Sequence, residues 1–195
     1  MSGMARPKEF DRDVVLAHAI GVFAQHGFEG SSTEDLLAAM GISRQSLYDT
    51  FGGKWPLYLA ALQRYVSDSV GAQLLVLEGA PGALDGVTAL LTQAAAKAGA
   101  DPAPACLGIG AICEFGRSEP ELQSLTETSG RLMVKALERR LGEAARDGLV
   151  ARDLDVTAAA DFVMATLTGI KVAARAGASL HSLQGIARMA LRSLR

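Results

Sequence analysis

STEDLLAAMGISRQSLYDTFGGK, residues Ser32–Lys54, decides the fold. Ser32 offers the hydroxyl of a helix N-cap, and Asp35 three residues later completes a capping box. Leu36, Leu37 and Met40 then turn one face of a short helix inward. Gly41 ends it, because a glycine just past the last turn takes the left-handed conformation without a Cβ clash. Ile42 plugs the turn into the core and Ser43 caps a second helix. There Leu47 and Phe51, four apart, face inward, leaving Arg44, Gln45, Ser46, Tyr48 and Thr50 outside. Two short capped helices about a glycine turn are the grammar of a helix-turn-helix. The outer face suits DNA: Arg and Gln can make bidentate contacts to base edges, and hydroxyls can donate to phosphates.

Toward the N-terminus, a helix is expected from about Asp11 to His26, with Phe10 placed as a hydrophobic staple. Val15, Ala19, Val22 and Phe23 form its apolar stripe and Gly27 stops it. His18 and His26 read as surface or capping residues. Met1–Glu9, with Arg6 and Lys8 around Pro7, is either a tail or an arm reaching a DNA groove. Toward the C-terminus, Gly52-Gly53 makes a turn and Lys54 opens a long helix with Pro56 in its first turn, where a missing N–H costs nothing. Its apolar face, Leu57 to Leu77, runs for about six turns, or roughly 32 Å. Such a helix can start in one domain and end in another.

The remainder reads as further helices. Gly79–Gly82 is a loop, Leu84–Ala98 a helix with a hinge expected at Gly86, and Asp101-Pro-Ala-Pro a break. Ala105–Gly116 is apolar throughout, the pattern of a buried helix. Glu119-Pro120 opens the next helix, through Asp147, with Gly130 a site for a kink and Gly148 its end. Val156–Ala176 has two apolar faces, Phe162, Thr166, Gly169, Ala173 and Ala176 on one, Val163, Leu167, Ile170 and Ala174 on the other. A helix apolar nearly all round must be covered on more than one side. It is either the central core helix or packs one side on its own core and the other on a second subunit; in the latter case the first of these faces, with Leu183, Ile186, Ala190 and Leu191 of the last helix, forms a four-helix dimer interface.

The 195 residues are 49% apolar but only 5% aromatic, which favours packed helices over sheet. Residues 1–55 carry five cations against seven acids, an unusual balance for a DNA-binding head. Its few cations must therefore be well placed. The longest stretch free of Asp, Glu, Lys and Arg, Val14–Phe28, is too short for a membrane span, and no signal-peptide pattern opens the chain. A cytoplasmic protein with no membrane partner is expected. No HExxH, P-loop or GxSxG motif occurs, so neither an enzyme, a cofactor nor a metal site is expected. Cys106 and Cys113, about 10.5 Å apart on one helix, are too distant for an internal disulfide. They are either small apolar core residues or a thiol or metal sensor. Glu114 and Arg117 beside them are either polar anchors of a pocket or a surface pair.

GFEGSSTEDLLAAMGISRQSLYDTFGGKWPLY, Gly27–Tyr58, resembles the N-terminal signature of the TetR family of bacterial one-component regulators. The matching positions are Gly27, Phe28, Ser31, Ser32, Leu36, Met40, Gly41, Ile42, Ser43, Leu47, Tyr48, Phe51 and Lys54. The likeness covers about the first 60 residues and is architectural beyond them. It implies an all-α protein: a three-helix helix-turn-helix head, residues 1–54, joined by a long helix to a larger helical ligand-binding and dimerisation domain, residues 55–195. The implied function is a sequence-specific repressor, released from a palindromic double-stranded operator by a small-molecule effector. As a homodimer it would present two heads to half-sites about 34–36 Å apart. Arg44, Gln45 and Ser46 would approach base edges, while Ser32, Thr33, Tyr48, Thr50 and Lys54 would hold phosphates. Asp49, where the family often has a neutral or basic residue, departs from the pattern. Candidates for the effector pocket are Tyr65, Cys106, Ile109, Cys113, Met133, Phe162 and Thr166, which mix apolar bulk with sparse polar groups. The alternatives are a thiol- or metal-responsive regulator working through Cys106 and Cys113, or an all-α ligand-binding protein or enzyme without DNA binding.

Overall fold

The computed structural model describes residues 10–100 and 106–195, so the Met1–Glu9 arm and the Asp101-Pro-Ala-Pro break lie outside the described residues. Among the described residues there are nine α-helices and no strand. They are α1 (Arg12–His26), α2 (Thr33–Met40), α3 (Arg44–Phe51), α4 (Lys54–Gly79), α5 (Ala83–Ala100), α6 (Leu107–Phe115), α7 (Pro120–Arg146), α8 (Val156–Arg175) and α9 (Leu180–Ser193).

The sequence punctuation sets the element ends. Asp11 caps α1, its carboxylate accepting the Asp13 and Val14 N–H groups. The Ser32–Asp35 capping box is complete at α2, and Gly41 ends that helix at φ 66°. Gly130 does not divide α7, which runs for 27 residues with its apolar face anchored on both sides of the glycine, by Leu122 and by Met133, Leu137 and Leu141.

The apolar core falls into two clusters. One gathers α1, α2, α3, the first turns of α4, Leu107 and Ala111 of α6 and Leu122 of α7. The second joins the end of α4 to α5, α7, α8 and α9. Helix α4 contributes Leu57, Tyr58, Ala61 and Leu62 to the first and Leu77 to the second. A movement of its far end therefore has a rigid route to the head.

Gly86 is no hinge. It is buried where α5 crosses the end of α4, and a Cβ there would run into the Leu77 carbonyl and come within 3.1 Å of Arg140 Nη2. Arg140 itself is 8% exposed and donates from Nη2 to the Ala80 and Gly82 carbonyls at 2.9 and 2.6 Å, tying α7 to the α4–α5 loop. Alanine at Gly86 is expected to destabilise the protein by about 1–3 kcal/mol, the usual cost of overpacking, read as a lowered denaturant midpoint with unchanged slope. A variant as stable as the parent would show that these helices can separate freely.

Helix α6 corrects the expectation of a fully buried element. Only Leu107 and Ala111 are buried, Ile112 is 57% exposed and Cys113 faces solvent. Nine residues give it room to pack one face alone, so its apolar composition overstated its burial. Helix α8 is long and apolar enough in composition to cross a membrane, yet one face, Val163, Leu167, Ile170 and Ala174, lies in the second core cluster.

Candidate DNA-binding head and effector cavity

Helix α3 is held by Leu47, fully buried, and Phe51, 8% exposed, so its other side stands clear of the head. Ser43 caps it by accepting the Ser46 N–H at 3.1 Å, and Gly52 closes it at φ 88°. Exposed on it are Arg44, Gln45, Tyr48 and Asp49, with Ser46 and Thr50 half-buried beside them. These form one polar surface.

The surface explains the acidic balance of the head. Arg44 is ion-paired with Glu34 of α2, and Gln45 Nε2 donates to Asp49 Oδ1 at 2.7 Å. Exposed pairs of this kind are worth about 0–1 kcal/mol, so phosphate or a base edge can displace them cheaply. Asp49 thus holds Gln45 along the helix in the free protein. Of the expected phosphate contacts, Ser32 is engaged in its cap, donating to Asp35 Oδ2 at 2.6 Å, with its backbone end of α2 still exposed. That exchange, with the Ser32 backbone N–H, draws the Asp35 carboxyl below its ordinary range. Thr33 is half-buried at the first turn of α2. Lys54 stands at the start of α4 with its ammonium 4.3 Å from the Phe28 ring centroid, which fixes its direction by cation–π attraction.

Behind the head lies a cluster that the sequence did not announce. Phe28 of the head and Trp55 and Tyr58 of α4 meet Phe115 at the end of α6, with Trp55 and Phe115 centroids 5.4 Å apart and Phe28 and Phe115 5.8 Å apart, and Phe23 packs against Tyr58 behind them. The neighbouring Glu114 carboxylate accepts the backbone N–H groups of Phe28 and Glu29 at 2.9 and 2.7 Å. Glu114 is therefore neither pocket anchor nor surface pair. It locks α6 onto the α1–α2 loop, where Gly27, at φ 74°, leaves just enough room, a Cβ there standing 3.0 Å from the carboxylate. The Gly-Phe dipeptide was the available signal; its acidic partner lies more than 80 residues away.

Tyr58 has no exposure and its hydroxyl no partner among the described residues, and burial, reinforced by the Glu114 charge, pushes it up to about 12 from an ordinary 10. The unfolded chain thus loses this proton before the folded one does. Stability is full below about pH 10 and is expected to fall between about 10 and 12 as the proton leaves. Tyr58→Phe should flatten that limb in thermal melts across the range, and an unchanged limb would assign it to other groups.

The other end of α6 borders a cavity of about 230 Å³ between α4, α5 and α8. Tyr65 and Cys106 line it, joined by Val76 and Leu90, Leu167 and Lys171. Burial and a hydrogen bond with Cys106 raise the Tyr65 hydroxyl above its ordinary range. The other expected lining residues lie elsewhere. Met133 is 1% exposed inside the second core, Cys113 faces solvent, and Phe162 is 43% exposed on the outer face of α8 with Thr166 one turn on. Ile109 is half-buried on α6 and does not reach the cavity wall. Facing directions set by helix phase, which composition does not reveal, separate these residues from Tyr65 and Cys106. Among the described residues no group of three or more His, Cys, Asp or Glu stands together as a metal site.

Of the residues expected between subunits, Phe162, Gly169, Ala176 and Ile186 are exposed, and Thr166, Ala173 and Leu191 half-buried. Leu183 and Ala190 are not available: α9 packs along α5, and both residues sit in the chain's own core at 0% and 3% exposure. Met189, 63% exposed, stands on the side that they leave open.

A capped helix-turn-helix with a polar outer face, on an all-α body with a cavity between its helices, defines a one-component DNA-binding regulator. The model for bacterial regulatory proteins of the tetR family matches residues 15–61. The HTH-type transcriptional regulator YezE of Bacillus subtilis (strain 168) is 36% identical over 184 residues, 93% of this chain and 94% of that protein. The HTH-type transcriptional repressor ComR of Escherichia coli (strain K12) is 30% identical over 191 residues, 96% of this chain and 90% of that one. A solved structure of the TetR family regulator CifR, a cysteine mutant complexed with 26bp double-strand operator DNA, superposes with a TM-score of 0.84 at 32% identity, covering 98% of this chain and 100% of that one. The chain belongs to the TetR family and is a helix-turn-helix transcriptional regulator, not an enzyme.

Proposed function

We propose that the chain is a homodimeric repressor that leaves a palindromic operator when a small molecule enters the cavity beside α6. In this reading residues 1–54 form the reading head and 55–195 the regulatory and dimerisation domain, with α4 common to both. Arg44, Gln45 and Ser46 address base edges, and Thr33, Tyr48, Thr50, Lys54 and the Ser32 end of α2 address phosphates. One observation carries the regulatory half: α6 has Cys106, at its N-cap, in the cavity wall and Glu114 and Phe115, at its other end, in the head. An occupant that displaces α6 shifts the head, and with it the spacing of two heads, as a change of population. The relatives named repressor and bound to operator DNA support the same reading.

The test is selection of a binding sequence from a random duplex pool. One enriched palindrome is expected, with Arg44→Ala and Gln45→Ala each costing about 1–3 kcal/mol on it, or about 5- to 150-fold in affinity. No enriched sequence at low salt, or full binding by both variants, would overturn the reading.

Cys106 favours a narrower form of it, in which the effector acts on the thiol. The cavity places that thiol beside Tyr65 while Cys113 faces away to solvent, so any such chemistry rests on Cys106 without Cys113. Cys106→Ala that still releases operator to the same effector would remove it.

A further inference from the structure

We infer that the cavity beside α6 takes a small amphipathic carboxylate, an apolar body of roughly eight carbons ending in one negative charge. This rests on the reading of that cavity as the effector site. Its walls are apolar on three helices, through Val76 of α4, Leu90 of α5 and Leu167 of α8. Lys171 of α8 and the exposed Lys97 of α5 also line it, and among the described residues no aspartate or glutamate does. Neither lysine forms an ion pair among the described residues. Lys171 is half-buried on α8 beside the apolar wall, where the field of a counterion is screened less than in bulk solvent.

Size and polarity narrow the class. The volume, about 230 Å³, lies below the roughly 300–1,000 Å³ of pockets for drug-sized ligands. A body of roughly eight carbons, at roughly 30 Å³ each, fits within it. Inorganic phosphate would satisfy the lysines and leave the aliphatic walls against a hydrated ion. A neutral hydrocarbon would fill the walls and leave two cations without a partner. A chain or ring bearing one carboxylate does both, accepting charge-assisted hydrogen bonds at one end and covering apolar surface with the rest.

Calorimetric titration of the full-length protein with octanoate, octanamide and inorganic phosphate tests this without DNA. Octanoate is expected to bind saturably, at least about tenfold tighter than its neutral isostere, since a hydrogen bond to a charged group is stronger than one to a neutral group. Phosphate should not bind. Lys171→Met and Lys97→Met should each reduce the preference for octanoate, and Lys171→Arg should keep it. Equal binding of octanoate and octanamide, binding of neither, or a preference that survives both methionine variants would overturn the inference. Operator release measured in parallel separates it from the functional reading. Octanoate bound with the operator retained would refute the cavity as effector site and leave the carboxylate site standing. Release by octanamide as readily as by octanoate would refute the charge selectivity and leave the effector site standing.

Discussion

Glutamate in place of Phe162 is expected to turn the protein into a folded monomer with little operator affinity. Helix α8 spends Val163, Leu167, Ile170 and Ala174 on its own core, which leaves Phe162 at 43% and Val172 at 49% exposed on its far side. On α9, Ile186 and Met189 are 37% and 63% exposed. Exposed apolar side chains on these two packed helices fit the proposed interface between subunits. A carboxylate there would be buried without a partner on dimerisation, at a cost of about 3–5 kcal/mol, so the dimerisation constant should weaken roughly a hundredfold or more. The fold itself should survive, because Phe162 contributes nothing to the buried core. Sedimentation at micromolar concentration would show the change in mass, circular dichroism the retained helices. Loss of operator binding would follow because a single head meets one half-site. A Phe162→Glu protein that stays dimeric and binds as before would place the interface elsewhere.

The second large effect is expected at Glu114. Alanine there removes the acceptor of two backbone N–H groups, those of Phe28 and Glu29, and with it the polar link between α6 and the head. Hydrogen bonds to charged groups contribute about 1.5–3 kcal/mol each; water competes at this exposed carboxylate, so a loss nearer 1–2 kcal/mol in total is expected. The informative readout is regulation. With the link cut, occupancy of the cavity should still be measurable by calorimetry, while its effect on operator affinity falls several-fold. Glu114→Gln keeps a single acceptor oxygen without the charge and should lie between. Full release of operator by an effector in Glu114→Ala would show that α4 transmits the signal without α6. Phe115, packed among Phe28, Trp55 and Tyr58, would then serve as a hydrophobic stop.

The head was legible almost residue by residue because its signals are local. Ser32, Asp35, Gly41, Ser43 and Gly52 act within one turn of their own positions, through caps and left-handed glycines that need no tertiary partner. The two-faced pattern of Val156–Ala176 was legible for a similar reason, since helical period alone sorts Val163, Leu167, Ile170 and Ala174 from Phe162 and Thr166. The cavity was not. Tyr65 and Cys106 line it, while Cys113 and Met133, equally suited by composition, point to solvent and into the core. The difference is the phase of each helix against its neighbours.

By itself, then, the sequence determined an all-α chain, the helix-turn-helix, which side of α3 faces outward, and the family to which the chain belongs. Only the tertiary structure decided that Leu183 and Ala190 pack inward, that Gly86 is a point of close contact, and that Glu114 reaches the Phe28 and Glu29 amides. Caps and helical periods are written within a few neighbouring residues. The phase and docking of one helix on another are set by groups on different elements, Glu114 lying more than 80 positions from the amides it reaches, through packing that no local pattern encodes.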